Sequence, residues 1–263
     1  MNSRSVLEAQ SLNLSYGENR VVENLNLVLP KGQITSIIGG NGCGKSTLLR
    51  SFARLLLPEH GTVLFNGEVL AKYHRKDLAK QLAILPQSPI APPGITVADL
   101  VGRGRSPHLG LFGNWSKADY EAVAKALEKT RLTDLADRVV DELSGGQRQR
   151  VWIAMALAQD TQCVLLDEPT TYLDVANQLE VLDLLIELNR DQGATIVMVL
   201  HDMNLAARYS DNIVALRSGE LVAMGSPEEV ITAENMRKVF DIECRVVQDS
   251  GAPVVLPYGR YHG

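Results

Sequence analysis

Apolar and polar residues alternate along positions 6–14 and again along 21–29, on either side of Ser15-Tyr16-Gly17-Glu18-Asn19. A period of two predicts a pair of strands joined by a turn at those five residues. Elsewhere the pattern is largely apolar with no alternation: 82–85 and 163–166 are apolar throughout, and 34–38 and 194–200 are apolar but for Thr35, Ser36 and Thr195. Short runs of this kind predict strands covered on both faces, as in a parallel sheet. Helical spacing follows the first run, where Leu48, Leu49, Phe52, Leu55 and Leu56 share a face, and it dominates from about 96 to 159. Within that region Ser116 and Asp119 resemble an N-cap ahead of Ala122, Val123, Ala126 and Leu127. A further helix carries Val151, Ile153, Ala154, Ala156, Leu157 and Ala158.

Shorter signals complete the pattern. Asn66-Gly67 closes a strand at 62–65 as a hairpin turn, and Arg217-Ser218-Gly219 separates strands at 212–216 and 220–224. Ser226-Pro227-Glu228-Glu229 is a capping box with proline at the first helical position. Val246, Val247, Val254 and Val255 predict short strands in a small terminal appendix. A stretch with Pro89, Pro92, Pro93 and Gly94 is a loop and a candidate boundary between subdomains. The segment Gly102-Arg103-Gly104-Arg105-Ser106-Pro107-His108 is too rich in glycine and arginine for a packed core. It is expected in solvent, as a plain loop or as a contact surface.

The run at 34–38 feeds Gly39-Gly40-Asn41-Gly42-Cys43-Gly44-Lys45-Ser46-Thr47, which fits the phosphate-loop spacing GxxxxGK[ST]. The strand before it and the helix after it are the context that chemistry needs. Glycines let backbone N–H groups turn inward around the β- and γ-phosphates, and the helix N-terminus adds partial positive charge. Lys45 supplies a full charge and Ser46 an oxygen ligand for Mg²⁺. Ser144-Gly145-Gly146-Gln147 opens the later helix and forms a second anion site by the same logic. The run at 163–166 ends in Asp167-Glu168, placing two carboxylates where ligands bind in α/β sheets. Asp167 is placed to hold Mg²⁺, and Glu168 to deprotonate an attacking water. His201 ends the run at 194–200 on the same edge and can reach a γ-phosphate as a donor. Tyr16, at a turn tip, reads equally as a base-stacking aromatic and as an ordinary turn tyrosine.

Composition narrows the class. With 263 residues and 45% hydrophobic content the chain can bury a sizeable core. A net charge of −5 gives no general case for nucleic-acid binding. Cys43, Cys163 and Cys244 form no CxxC pair, so neither a zinc site nor a disulfide framework is indicated and a reducing compartment is expected. No apolar run separates Arg4 from Glu8, and nowhere do roughly 18 apolar residues run together. A soluble, cytoplasmic chain is the expectation.

The phosphate loop, Leu143-Ser144-Gly145-Gly146-Gln147 and Leu166-Asp167-Glu168, in that order, make the chain resemble the ATP-binding subunit of an ATP-binding cassette (ABC) transporter over essentially its whole length. The resemblance implies an α/β P-loop ATPase with a RecA-like mixed and parallel sheet core, an N-terminal antiparallel β subdomain and an inserted α-helical subdomain. It implies one ATP-binding domain over 1–263, with its core at about 1–87 and 161–240, the helical subdomain at about 88–160 and an appendix at 241–263. By position, Tyr16 matches the adenine-stacking aromatic, Gln87 the loop glutamine that serves Mg²⁺ and links the site to a membrane partner, and His201 the switch histidine. Asp174 matches the aspartate that communicates between paired sites. Gly40 stands where many relatives have proline, and Thr171-Tyr172 where many have Ser-Ala; neither departure removes a catalytic group.

The same resemblance implies a head-to-tail dimer with two ATP molecules, each held by Lys45 and Ser46 of one subunit and by Ser144 and Gly146 of the other. It also implies transmembrane permease subunits, placement on the cytoplasmic face of the bacterial inner membrane and, indirectly, a periplasmic siderophore-binding protein. The segment at 102–108, Leu200-His201-Asp202-Met203-Asn204-Leu205-Ala206, Arg208-Tyr209-Ser210-Asp211 and the tail Pro257-Tyr258-Gly259-Arg260 resemble importers of ferric siderophores, haem and cobalamin, and most of all the ferric enterobactin type. The rival from another class is a non-transport cassette acting as a switch on ribosomes or DNA. Such chains usually carry a second cassette or a long coiled-coil insertion, and neither is visible here.

Overall fold

The two alternating stretches form long antiparallel strands, β1 (Ser5–Tyr16) and β2 (Asn19–Pro30), with the turn reduced to Gly17 and Glu18. They belong to a computed structural model that describes residues 5–110 and 113–261. After β3 (Ile34–Gly39) come α1 (Lys45–Phe52), β4 (His60–Phe65) and β5 (Glu68–Val69). The middle of the chain holds α2 (Arg75–Ala79), β6 (Leu82–Leu85), α3 (Val97–Gly102), α4 (Lys117–Lys129), α5 (Gly145–Ala158), β7 (Cys163–Asp167) and α6 (Val175–Gln192). The remainder is β8 (Thr195–Val199), α7 (Met203–Tyr209), β9 (Asn212–Arg217), β10 (Glu220–Gly225), α8 (Pro227–Val230), α9 (Ala233–Phe240), β11 (Ile242–Asp249) and β12 (Ala252–Arg260). Packing divides these elements into two units, one built from the chain up to Lys72 and from Thr195 onward, the other from Tyr73–Ala194.

In the first unit an antiparallel sheet runs β2-β1-β4-β5. Its last turn has Asn66 at φ 50° and Gly67 at φ 83°, the paired positive angles that a two-residue hairpin requires. A second sheet places β3 between β8 and β9, parallel to both, with β10 antiparallel to β9. All six residues of β3 and all five of β8 are buried, as their largely apolar sequences predict, and the burial extends to Thr35, Ser36 and Thr195. The expected short strands of the tail are instead a hairpin of eight and nine residues, β11 and β12. Helix α1 is shorter than its apolar spacing predicts: it ends at Phe52, and Arg54 takes φ 57°. Leu48, Leu49 and Phe52 are fully buried, whereas Leu55, expected on the same face, is 65% exposed.

In the second unit β6 and β7 form a parallel pair, and α3, α4 and α5 pack on one another. Ser116 and Asp119 make the full reciprocal cap of α4. The solvent-exposed reading of 102–108 holds for Arg103 and Ser106 but is overturned at Gly102, Gly104 and Arg105, which are buried. Arg105 is buried, its Nε donates to Asp119 Oδ1 at 2.8 Å and its Nη1 donates to the Ala158 carbonyl at 2.7 Å. His108 Nε2 lies 2.8 Å from the Gln159 carbonyl. A buried guanidinium needs a carboxylate and further acceptors, and the C-terminal end of α5 provides the carbonyls. Among the described residues no helix is long and apolar enough to cross a membrane.

Candidate functional site

In the first unit the phosphate loop leaves the buried end of β3 with a residue that can only be glycine. Gly39 has φ 153°, and a Cβ there would lie 2.3 Å from the Leu216 carbonyl oxygen and 2.6 Å from Cys43 Sγ. Gly40, Asn41 and Gly42 bulge outward, and the chain turns back through Cys43 and Gly44 into Lys45. The Cys43 carbonyl accepts a hydrogen bond from Gly219 N at 3.0 Å, which ties the loop to the turn between β9 and β10. Lys45 is buried, and its Nζ donates to the Gly39 and Gly40 carbonyls at 2.9 Å each. Helix α1 has no side-chain cap and no acidic residue in its first turn, which contains Ser46 and Thr47. Its N-terminal N–H groups and the Lys45 ammonium together give the loop a positive character, with no acid in the helix's first turn to offset it.

Two further expected residues belong to this unit. Tyr16 ends β1 and is 45% exposed, with its hydroxyl accepting from Arg50 Nη1 on α1 at 3.3 Å. The ring is therefore presented at the rim and tethered to the helix that carries the phosphate loop. His201 is exposed and follows β8 by two residues. Because Val199 is the register partner of Ile37, His201 stands at the same sheet edge as Gly39, two residues further on.

The second unit brings together a carboxylate and an amide that are 81 residues apart in the chain. In the parallel pair, Leu85 faces Leu166, so the residues two positions beyond that register pair, Gln87 and Glu168, meet at its C-terminal end. Gln87 Nε2 donates to Glu168 Oε2 at 2.6 Å, and Thr171 Oγ1 donates to the same oxygen at 3.0 Å. Glu168 adopts φ 55°, an uncommon angle for a side chain of its size, which marks the strand end as a shaped turn. Asp167 closes β7 and is only 2% exposed. Thr171 was legible in the sequence only as a departure from Ser; its hydroxyl turns out to orient the carboxylate.

Ser144 caps α5: its Oγ accepts from Gln147 N at 3.2 Å, while Gln147 Oε1 accepts from Ser144 N at 3.0 Å. Gln147 thereby serves the helix end itself, and Gly145 and Gly146 supply the first-turn N–H groups. Asp174 caps α6, accepting from Asn177 N at 2.9 Å. Nothing in sequence spacing pointed to Asn177, which lies inside a helix and was absent from every motif.

Burial pushes the Cys43 thiol above its ordinary value, and the nearby Lys45 charge tempers the rise. Cys163, fully buried in β7, is pushed up to about 12 by desolvation. Neither thiol has the depressed value of a reactive cysteine.

Set beside known proteins, residues 22–171 match the family described as ABC transporter. The chain is 55% identical over 258 residues to the probable siderophore transport system ATP-binding protein YusV of Bacillus subtilis, covering 97% of this chain and 94% of that one. It is 50% identical over 256 residues to the ferric enterobactin transport ATP-binding protein FepC of Escherichia coli, again covering 97% and 94%. Among solved structures, the dimeric post-hydrolysis state of the ATP-binding cassette MJ0796, bound to ADP and Pi, is similar with a TM-score of 0.72 and 30% identity. That likeness covers 84% of this chain and 98% of the cassette.

Proposed function

The chain belongs to the ABC transporter family and is one of its ATPases, and from that premise we propose that it powers import of a ferric siderophore across the bacterial inner membrane. It does so as a head-to-tail dimer on the cytoplasmic face of that membrane, coupled to separate permease subunits that a periplasmic siderophore-binding protein loads. The cargo class is supported by likeness to YusV and FepC, whose names carry it. The observation that carries the ATPase chemistry is the Glu168 carboxylate, oriented at its strand end by Gln87 and Thr171.

In this reading Tyr16 stacks on adenine, the phosphate loop and Lys45 hold the β- and γ-phosphates, and Glu168 takes the proton of the attacking water. His201 donates to the γ-phosphate. Magnesium, the ion that accompanies the triphosphate, is a hard cation that takes oxygen ligands. The Ser46 hydroxyl, the Gln87 amide and the Asp167 carboxylate offer that donor type. With its amide nitrogen directed at Glu168, Gln87 has its amide oxygen to give. When bound, the ion neutralises phosphate charge. Ser144, Gly145 and Gly146 of the partner subunit close on the same nucleotide, with Gln147 stiffening their helix end. ATP then holds the dimer closed, hydrolysis releases it, and Asp174 relays between the two sites. The helical insertion at about 88–160 begins with the loop after Gln87, where Ile90 is 91% exposed, and this loop meets the permease.

Uptake measurements test the cargo. Cells lacking this chain, offered ferric catecholates, ferric hydroxamates, haem and cobalamin separately, are expected to lose uptake of a ferric siderophore and regain it only with wild type, not with Glu168→Gln. Unchanged siderophore uptake, or loss confined to haem or cobalamin, sinks the assignment.

Thiol labelling tests the loop. Because the Cys43 thiol is buried and burial makes it hold its proton to higher pH than a free thiol, alkylation at neutral pH is slower than for a free thiol and quickens as pH rises. Activity is expected to fall in step with Cys43 labelling followed by mass spectrometry, with MgATP protecting. Full activity in chains labelled at Cys43 refutes a phosphate-holding role for the loop.

A further inference from the structure

Asn177 makes two sets of contacts, and they reach the two parts of the second unit to which the proposed function gives separate tasks. Its backbone N–H donates to Asp174 Oδ1 at 2.9 Å, and its Nδ2 donates to both carboxylate oxygens, at 2.9 and 2.8 Å. A helix cap needs only the first of these bonds. The other two hold both oxygens of a residue that is itself exposed. The opposite end of the amide covers Gly146, which is buried. A Cβ at Gly146 would lie 2.1 Å from Asn177 Oδ1 and 2.5 Å from its Cγ. One short planar side chain therefore spans from the cap of α6 to the first turn of α5. A planar amide has no internal torsion between its oxygen and its nitrogen, so displacing one end displaces the other.

We propose that Asn177 is a positioning residue that couples Asp174 to the N-terminus of α5, so that nucleotide engagement by Ser144 and Gly146 is felt at Asp174. The proposal rests on the reading above, in which those residues act on ATP and Asp174 relays between paired sites. Closure of the α5 terminus on a phosphate presses Gly146 against the amide oxygen, and the amide nitrogens carry the shift to the carboxylate. Without Asn177 the two ATP sites of the dimer lose their means of communication through this contact.

Two variants of the full chain separate coupling from packing. Asn177→Ala removes the amide. Asn177→Asp keeps its size but sets a second carboxylate against Asp174 in place of the donor. Both are expected to bind MgATP, and in both the Hill coefficient of ATP hydrolysis falls toward one from near two, the limit set by two sites. A space-filling residue would leave Asn177→Asp as cooperative as wild type. A melting experiment without nucleotide tests the contact itself. Gly146→Ala alone is expected to lower the midpoint by about 2–4 °C, the shift of one overpacked methyl in a chain of this size. Combined with Asn177→Ala, which leaves only a Cβ at 3.2 Å, most of that drop is recovered. Additive drops, a cooperative Asn177→Asp, or a wild type that hydrolyses without cooperativity overturns the proposal. A wild type that hydrolyses no ATP at all strikes the ATPase reading instead, and the melting cycle still tests the contact.

Discussion

The Glu168→Gln protein binds MgATP but hydrolyses it about 10²- to 10⁴-fold more slowly than wild type, the range that a positioned general base contributes. The substitution suits the site because it changes charge and basicity while keeping shape. Gln87 Nε2 and Thr171 Oγ1 both donate to Glu168 Oε2. A glutamine can turn its amide oxygen to the same two donors, so the strand end and its φ of 55° are retained. What is lost is the carboxylate to which the proposed function gives the proton of the attacking water. With hydrolysis blocked, the γ-phosphate stays in place and the closed dimer persists. Gel filtration in saturating MgATP is therefore expected to show a dimer for Glu168→Gln, and a monomer once nucleotide is removed. A variant that stays monomeric with MgATP bound, or that retains wild-type turnover, would falsify the assignment of Glu168 as the base.

How much of this was legible in the sequence depends on how local each signal is. The strand–loop–helix that carries Lys45, the hairpin turns at 66–67 and 217–219, the N-cap at Ser116 and the capping box at Ser226 are set by residues within a few positions of one another, and all of them form as the spacing predicts. The same locality misleads at Leu55: helical spacing continues past Phe52, yet the backbone turns at Arg54 and the spacing has no means of showing it. The pairing of Gln87 with Glu168 comes from the register of β6 against β7, two strands whose apolar runs predict burial but not which residue faces which. The segment at 102–108 fails for a different reason. Arginine and glycine content reads as solvation unless the partner carboxylate is known, and Asp119 was read only as a helix-start residue. It does both jobs at once, capping α4 and neutralising Arg105.

That double use gives Asp119 a large effect on stability. Asp119→Ala is expected to cost about 3 kcal/mol of unfolding free energy at neutral pH, the lower end of what breaking a buried ion pair costs. The side chains of Arg105 and Asp119 are 7% and 6% exposed, so the deletion strands a guanidinium away from water, with the Ala158 carbonyl still bound to it. It also removes half of the cap, since Asp119 Oδ2 accepts from Ser116 N at 2.9 Å and from Ser116 Oγ at 2.6 Å. Those Ser116 bonds are the main reason that the Asp119 carboxyl titrates at about 2, with the Arg105 hydrogen bond adding to them. The sign follows directly. A carboxyl depressed from 3.8 to about 2 stabilises the fold fully above pH 4, and that contribution fades as pH falls toward 2. Asp119→Asn keeps a cap acceptor but has no titration, so it is less destabilised than Asp119→Ala at pH 7, and its deficit relative to wild type narrows between pH 4 and 2. Urea unfolding of the three proteins across that range measures all of these terms. Equal stability of wild type and Asp119→Ala at pH 7 would mean that Arg105 is solvated in solution, and that residues 102–108 are the open loop their composition suggests.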